Sequence, residues 1–213
     1  MKKTKQYSLR AAAWLLILCA CLLSACGTRP GTQGGAGKDT TRADAGAETV
    51  PPLPSHYRWY TYENAAFAAP EEAFRVFTSG DSRNVLSLTG GDGAAQVYLR
   101  KCLPADTGTD KAYFDKLTAA AYGELFCDLN GISERTPVGT QSRTRAGLSY
   151  TVPGETDENT AVFRLYFVKD SEHGCIWLLK CRCTAASADE WLPLFDNMSR
   201  FIRTDADMSV PAV

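Results

Sequence analysis

Between Cys175 and Thr184 the chain reads Cys-Ile-Trp-Leu-Leu-Lys-Cys-Arg-Cys-Thr. Successive side chains of a strand point to opposite faces, so Cys175, Trp177, Leu179, Cys181 and Cys183 share one face while Lys180 and Arg182 share the other. The first set is apolar and must lie on a core. Immediately afterwards the period changes. Ser187-Ala188-Asp189-Glu190 has the form of a capping box, and Trp191, Leu194, Phe195, Met198, Phe201 and Ile202 recur at helical spacing. Pro193 sits deep in that helix and should kink its first turns or delay its start. A chain that closes in this way needs a sheet with a helix packed against it.

The upstream pattern supplies the rest of the sheet. Tyr57-Arg58-Trp59-Tyr60-Thr61-Tyr62 is an aromatic strand, and residues 74–77, centred on Phe74 and Phe77, are a shorter one. Residues 84–89, the turn Gly90-Gly91-Asp92-Gly93 and residues 94–102 read as a hairpin. A helix follows, capped by Thr109 or Asp110, with Phe114, Leu117, Ala121 and Leu125 on its apolar face. Strands return near residues 134–140, then at 145–152, 161–168 and 175–184. The last three form a meander joined by acidic, glycine-containing turns at 153–159 and 169–174. The expected fold is α+β, an antiparallel sheet covered by helices, over residues 56–206 with a short tail at 207–213. At about 150 residues such a domain buries an adequate core without disulfides.

The N-terminus has a different character. Lys2, Lys3, Lys5 and Arg10 precede an apolar stretch at 11–23, followed by Ser24 and Ala25. This is the three-part layout of an export signal, too short to cross a hydrocarbon core comfortably. Leu23-Ser24-Ala25-Cys26 resembles the lipobox of bacterial lipoproteins. That resemblance implies a signal peptide over residues 1–25, a diacylglyceryl group on the Cys26 thiol, and Cys26 as the new N-terminus. The membrane would then be a partner through the lipid anchor. Each buried methylene adds about 0.8 kcal/mol and one acyl chain holds only marginally, so two chains are what make the attachment stable. Cys19 and Cys21 would leave with the peptide as apolar fillers. Gly27 follows the cysteine, which in a Gram-negative host resembles an outer-membrane sorting signal.

Residues 26–55 form the expected flexible linker. Gly27, Gly31, Gly34, Gly35, Gly37 and Gly46 are interleaved with small and polar residues, and no apolar period could build a core. Gly37-Lys38 does not make a phosphate loop, because Thr32 and Asp39 stand where a glycine and a hydroxyl residue are needed. Removing the four early cations from 23 basic residues leaves 19 against 24 acidic ones. A chain with that balance lacks the basic footprint for a phosphodiester backbone, so nucleic acid is excluded as an expected partner.

The order of elements resembles the PsbP-like lipoproteins of bacteria, relatives of the extrinsic photosystem protein. The features that match are Tyr60 and Tyr62 in the opening strand, the phenylalanines of 74–77, the helix of Phe114 to Leu125, and the last strand leading into the helix of Trp191 to Ile202. The resemblance implies an α-β-α sandwich and carries no catalytic residues. A cystatin-like or other helix-on-sheet fold stays open on the same pattern.

Chemistry-bearing motifs are scarce. His56 and His173 are the two histidines, and neither stands in catalytic or metal-ligating spacing. No enzyme, cofactor or metal site is therefore expected. Five cysteines follow the linker: Cys102, Cys127, Cys175, Cys181 and Cys183. An odd number leaves at least one thiol unpaired. A redox or metal site around Cys181-x-Cys183 is one reading, and buried apolar thiols lining the sheet are the favoured one. Same-face neighbours on a strand have Cα atoms roughly 6.5–7 Å apart, so Cys181 and Cys183 should not bond to each other. Glu155-Thr156-Asp157-Glu158 lacks the spacing of a calcium loop and reads as a solvated tip. The leading expectation is a membrane-tethered, non-catalytic binding or scaffold module with an unknown protein or envelope partner. A thiol-dependent redox or metal-handling lipoprotein and an envelope enzyme with an unrecognised site are the alternatives.

Overall fold

The strand at Cys175–Thr184 is the centre of the fold. The structure, a computed structural model, describes residues 52–204. The signal segment, Cys26, all but the last residues of the linker, and the tail lie outside the described residues. In chain order the strands are β1 (Tyr57–Tyr62), β2 (Ala65–Pro70), β3 (Phe74–Val76), β4 (Asn84–Gly90), β5 (Ala95–Cys102), β6 (Thr136–Pro137), β7 (Arg145–Val152), β8 (Ala161–Asp170), β9 (Cys175–Thr184) and β10 (Arg203–Thr204). The helices are α1 (Pro104–Thr107), α2 (Lys111–Lys116), α3 (Ala119–Leu129) and α4 (Ala188–Ser199).

Seven strands form one sheet in the order β3-β4-β5-β9-β8-β7-β6, antiparallel throughout. The hairpin and the meander meet where β5 pairs β9, with Leu99 opposite Leu179 and Val97 opposite Cys181. One face of β9 carries Cys175, Trp177, Leu179, Cys181 and Cys183, which pack with Trp191, Phe195 and Met198 of α4 and with Phe67 of β2. The other face carries Ile176 and Leu178, which join Leu165 and Phe167 of β8, Phe114 of α2, and Tyr122 and Phe126 of α3. The chain is therefore α+β around an antiparallel sheet, as its periodicities implied, with helices on both faces, as the resemblance implied.

Five local expectations are corrected. The first is the single helix of 109–125, which is two. Asp110 caps α2 by accepting from the Tyr113 amide at 2.7 Å, Leu117 leaves helical geometry at ψ 136, and Thr118 caps α3 by accepting from Ala121 at 3.1 Å. The break is stabilised from outside, because Lys169 Nζ donates to the carbonyls of Asp115 and Leu117 at 2.6 Å each, satisfying groups a helix end leaves open. Restarting at Thr118 changes the buried face to Ala119, Tyr122, Gly123, Phe126 and Cys127, leaving Ala121 exposed and Leu125 half-buried.

The second correction is the capping box at Ser187, which does not form. A 3-10 turn (Ala185–Ser187) precedes α4, and the Ser187 hydroxyl turns back to Thr184, 2.9 Å from its Oγ. Third, α4 begins at Ala188 and runs through Pro193 without delay. Fourth, α4 stops at Ser199, so Phe201 and Ile202 are buried beyond its end. Fifth, the strand at 134–140 contracts to Thr136–Pro137, an edge position where a residue without an amide donor is tolerated.

A second sheet was not foreseen. β1 pairs β2, and β10 pairs the other edge of β2. All six residues of β2, Ala-Ala-Phe-Ala-Ala-Pro, are buried. Alanine is a poor strand former and a strand covered on both faces shows no alternation, so neither local signal was present.

Gly91 in the β4–β5 hairpin fixes the approach of α4. It has φ +55, and a Cβ there would lie 2.7 Å from the Trp191 ring. Any side chain would be strained in backbone and would displace the indole.

Candidate functional site

The thiols are separated by the sheet. Cys175, Cys181 and Cys183 belong to the core beneath α4, and Cys102 and Cys127 to the core beneath α2 and α3. All five are free and buried. Burial pushes Cys102 and Cys127 up to about 11 and Cys175 up to about 12, and raises Cys181 and Cys183 from the ordinary thiol value. The thiolate is the form that attacks electrophiles and binds metals, so these groups are held in the unreactive state. Among the described residues no three His, Cys, Asp or Glu side chains gather as a metal would need. Native protein at neutral pH should label slowly with maleimide at Cys181 and Cys183 and rapidly once denatured. Fast labelling of both in the native state would assign them to an accessible redox site.

His173 lies in the β8–β9 turn against Asp170, a buried carboxylate. The Asp170 side chain accepts from the His173 amide at 3.1 Å, lies 3.0 Å from ring Nδ1, and accepts from the Asn64 amide side chain. Asp170 is also the strand partner of Cys175. The trio has the residue types of a thiol catalytic site, yet the thiol is raised to about 12. Its evident work is positional. Asn64 belongs to the β1–β2 turn, whose Glu63 has φ 47 and pairs with Lys101 of β5 at 2.6 Å, so these polar contacts fasten the small sheet to the large one. His56 is elsewhere, edge-on to Tyr57 at 5.0 Å. The acidic tip at 155–158 is exposed, and the backbone carbonyl of Thr156 accepts from the Asn159 and Thr160 amides.

A concave feature among the described residues lies on the sheet face that α3 covers only in part. Ile176 and Leu178 of β9 lie in the core beneath α2 and α3, and the next residues of the same face, Lys180 and Arg182, line an open cleft of about 480 Å³. Register brings Tyr98 opposite Lys180 and Gln96 opposite Arg182 on β5, with Arg100 opposite Leu178. Phe163 faces Arg182 from β8. The loop before β4 adds Ser79, Asp81 and Arg83, the first residue of β4 adds Asn84, and the C-terminal end of α3 adds Phe126 and Asn130.

Most of these side chains are fixed by one another. Gln96 Oε1 accepts from Tyr98 at 2.8 Å and from Arg182 at 3.2 Å. Arg83 holds Asp81 with two 2.8 Å bonds, which keeps that carboxyl at about 2. Lys180 Nζ stands 5.2 Å over the Phe163 ring, which stacks flat on Tyr150 at 4.5 Å. Burial lowers the Lys180 ammonium from its ordinary value; Asp81 opposes the shift, and the nearby Arg100, Arg182 and Arg83 charges reinforce it. Arg100 reaches Asp106 only at 3.5 Å, and its buried Nε has no hydrogen-bond partner among the described residues.

The sequence pattern marks Lys180 and Arg182 only as the face of β9 opposite its thiols. Phe163 lies 17 positions from Lys180 and Gln96 lies 86 from Arg182, and no local pattern links them. The signal available was the pair of basic residues at alternate positions on β9, Lys180 and Arg182, with Arg100 on β5.

No protein-family model and no curated protein matches the chain. Among solved structures it is similar to the Ran-binding protein Mog1p of Saccharomyces cerevisiae (TM-score 0.46, 10% identity, 70% of this chain and 95% of that one). It is similar also to the cyanobacterial PsbP of Synechocystis (TM-score 0.46, 13% identity, 82% and 98%). A third is LpqN, involved in cell envelope biogenesis of Mycobacterium tuberculosis (TM-score 0.29, 12% identity, 76% and 86%). Likenesses of this size concern the course of the backbone and bring no ligand or partner with them.

Proposed function

We propose that this chain is a lipid-anchored protein of the bacterial envelope whose folded domain binds a ligand without transforming it. The observation that carries the binding half is the cleft, where cations, amides and aromatic rings converge on a concave surface while the nucleophilic thiols are packed into the two cores. Convergent polar groups in a preformed pocket define a binding site. The cleft offers no nucleophile hydrogen-bonded to a base, which is what covalent catalysis requires. The anchor half rests on Leu23-Ser24-Ala25-Cys26 and the glycine-rich segment after it.

Each half has its test. Native protein should partition into detergent and incorporate radiolabelled palmitate, and Cys26→Ala should abolish the label; full labelling of that variant would remove the anchor. In detergent that frees the acyl chains, washed envelope fragments should still retain the full-length chain, and the pair Lys180→Glu with Arg182→Glu should release it. Arg75→Glu, on the exposed side of β3, serves as the control for an unrelated charge change. Retention that ignores the cleft pair would remove the cleft as the binding surface.

A further inference from the structure

We propose that the cleft binds a phosphate monoester of about sugar size. The inference rests on the binding reading above and names its ligand. Its first ground is charge. The chain carries a net charge of −1, yet Arg83, Arg100, Lys180 and Arg182 line the cleft against one lining carboxylate, Asp81, with Asp106 3.5 Å from Arg100 outside it. Like charges brought together on one concave surface repel, and here Arg100, Arg182 and Arg83 all act on Lys180. Such an arrangement is relieved by an anion, and a dianion neutralises more of the surplus than a carboxylate or a phosphodiester can.

The second ground is unused hydrogen-bonding capacity. Arg83 spends two of its five donors on Asp81, which balances its charge, and its side chain is 61% exposed, so it forms the rim. Arg182 spends one donor on Gln96, Arg100 is 3.5 Å from Asp106 with its Nε unpartnered, and Lys180 is over a ring. These three supply planar forks and an ammonium directed at one face, the geometry that phosphate oxygens accept. The Lys180 and Arg182 side chains stand two residues apart on β9, with Cα atoms roughly 6.5–7 Å apart. Both can therefore reach one phosphate.

The third ground is size. A phosphate alone leaves most of about 480 Å³ empty. The remaining wall combines Phe163 and Leu178 with the amides of Gln96, Asn130 and Asn159, a mixture of apolar and hydrogen-bonding surface suited to a sugar ring.

Isothermal titration of the full-length chain in detergent, with glucose 6-phosphate, inorganic phosphate, glucose and glycerophosphoglycerol as probes, tests this. Glucose 6-phosphate should bind one to one. Its affinity should fall as sodium chloride rises from about 20 to about 200 mM, the range over which charge attraction is screened. Lys180→Met and Arg100→Gln should each weaken it about tenfold or more, the scale of a lost charge-assisted bond. Arg182→Gln, at the exposed mouth, carries the same test if either half-buried variant fails to fold.

Glucose should not bind, and the phosphodiester should bind at least several-fold more weakly. Inorganic phosphate binding as well as the ester would overturn the sugar-sized part, and equal binding of glycerophosphoglycerol would replace the monoester with a polymer-borne diester. No binding of the ester while envelope fragments still retain the chain would sink this ligand and leave the binding reading standing. Loss of both would sink the two together.

Discussion

Raising the pH from about 8 to about 11 should strongly destabilise the domain, through its thiols. Cys102 and Cys127 sit at about 11 in the fold and Cys175 at about 12, against an ordinary value of 9.0, with Cys181 and Cys183 also raised. Below pH 9 each thiol is protonated in both states and its contribution is fully present. Between 9 and the folded value the unfolded chain releases protons that the native one keeps, so stability falls as pH rises. Each such group removes about 1.4 kcal/mol per pH unit within its window. The three with the widest windows, Cys102, Cys127 and Cys175, together remove about 4 kcal/mol per unit, so that by pH 11 the loss reaches the scale of a typical stability of about 5–15 kcal/mol.

Burial lowers Lys169 and Lys180, which changes stability in the opposite sense, but two groups do not offset five. Tyr122 and Tyr166, both raised by burial, add to the loss above pH 10. The check is a series of urea midpoints under reducing conditions across this range. A midpoint that stays flat from about pH 8.5 to 10.5 would mean that the thiols ionise as freely in the fold as outside it. Cys102→Ala should make the curve shallower at the cost of a lower midpoint at pH 7.

The parts of the fold legible in the sequence are those where burial is one-sided or periodic. β9 announced itself because Lys180 and Arg182 interrupt an apolar run, and β7 and the β4–β5 hairpin because turn residues bound them. β2 was silent, since alanines on both faces leave no pattern and the reason for its being a strand lies in β1 and β10. The division of α2 from α3 was silent for a related reason: Lys169, more than 50 residues away, satisfies the carbonyls at the break. The cleft was illegible on the same principle. Arg100, Lys180 and Phe163 become neighbours only through the pairing of β5, β9 and β8, and sequence carries periodicity within an element far better than register between elements.

Phe167→Ala should cost about 3–5 kcal/mol, the range for truncating a fully buried aromatic side chain. The size follows from position. Phe167 is wholly buried in the centre of β8, with Leu178 opposite on β9 and Ala146 opposite on β7. Its ring meets Tyr122 edge-on at 5.7 Å and Phe126 at 5.8 Å, so it is the surface on which α3 rests. α3 approaches so closely that a Cβ on Gly123 would lie 3.0 Å from the ring. The glycine lets the helix descend, and the ring stops it. Removing the ring leaves a cavity that neither a sheet strand nor a helix held at Thr118 can fill.

Phe163→Ala, four residues earlier on the same face, should cost markedly less, because that ring is half-buried at the edge of the cleft and water can occupy the space. Urea unfolding of both variants, with unchanged slopes, measures the difference. A Phe167→Ala loss below about 1 kcal/mol would show that α3 is not seated on the sheet through this ring, since so small a cost is seen where a site collapses or was never packed. The comparison also bears on the cleft. If Phe163→Ala leaves stability nearly intact while weakening ligand binding, the ring that carries Lys180 belongs to recognition, whereas its neighbour Phe167 belongs to the fold.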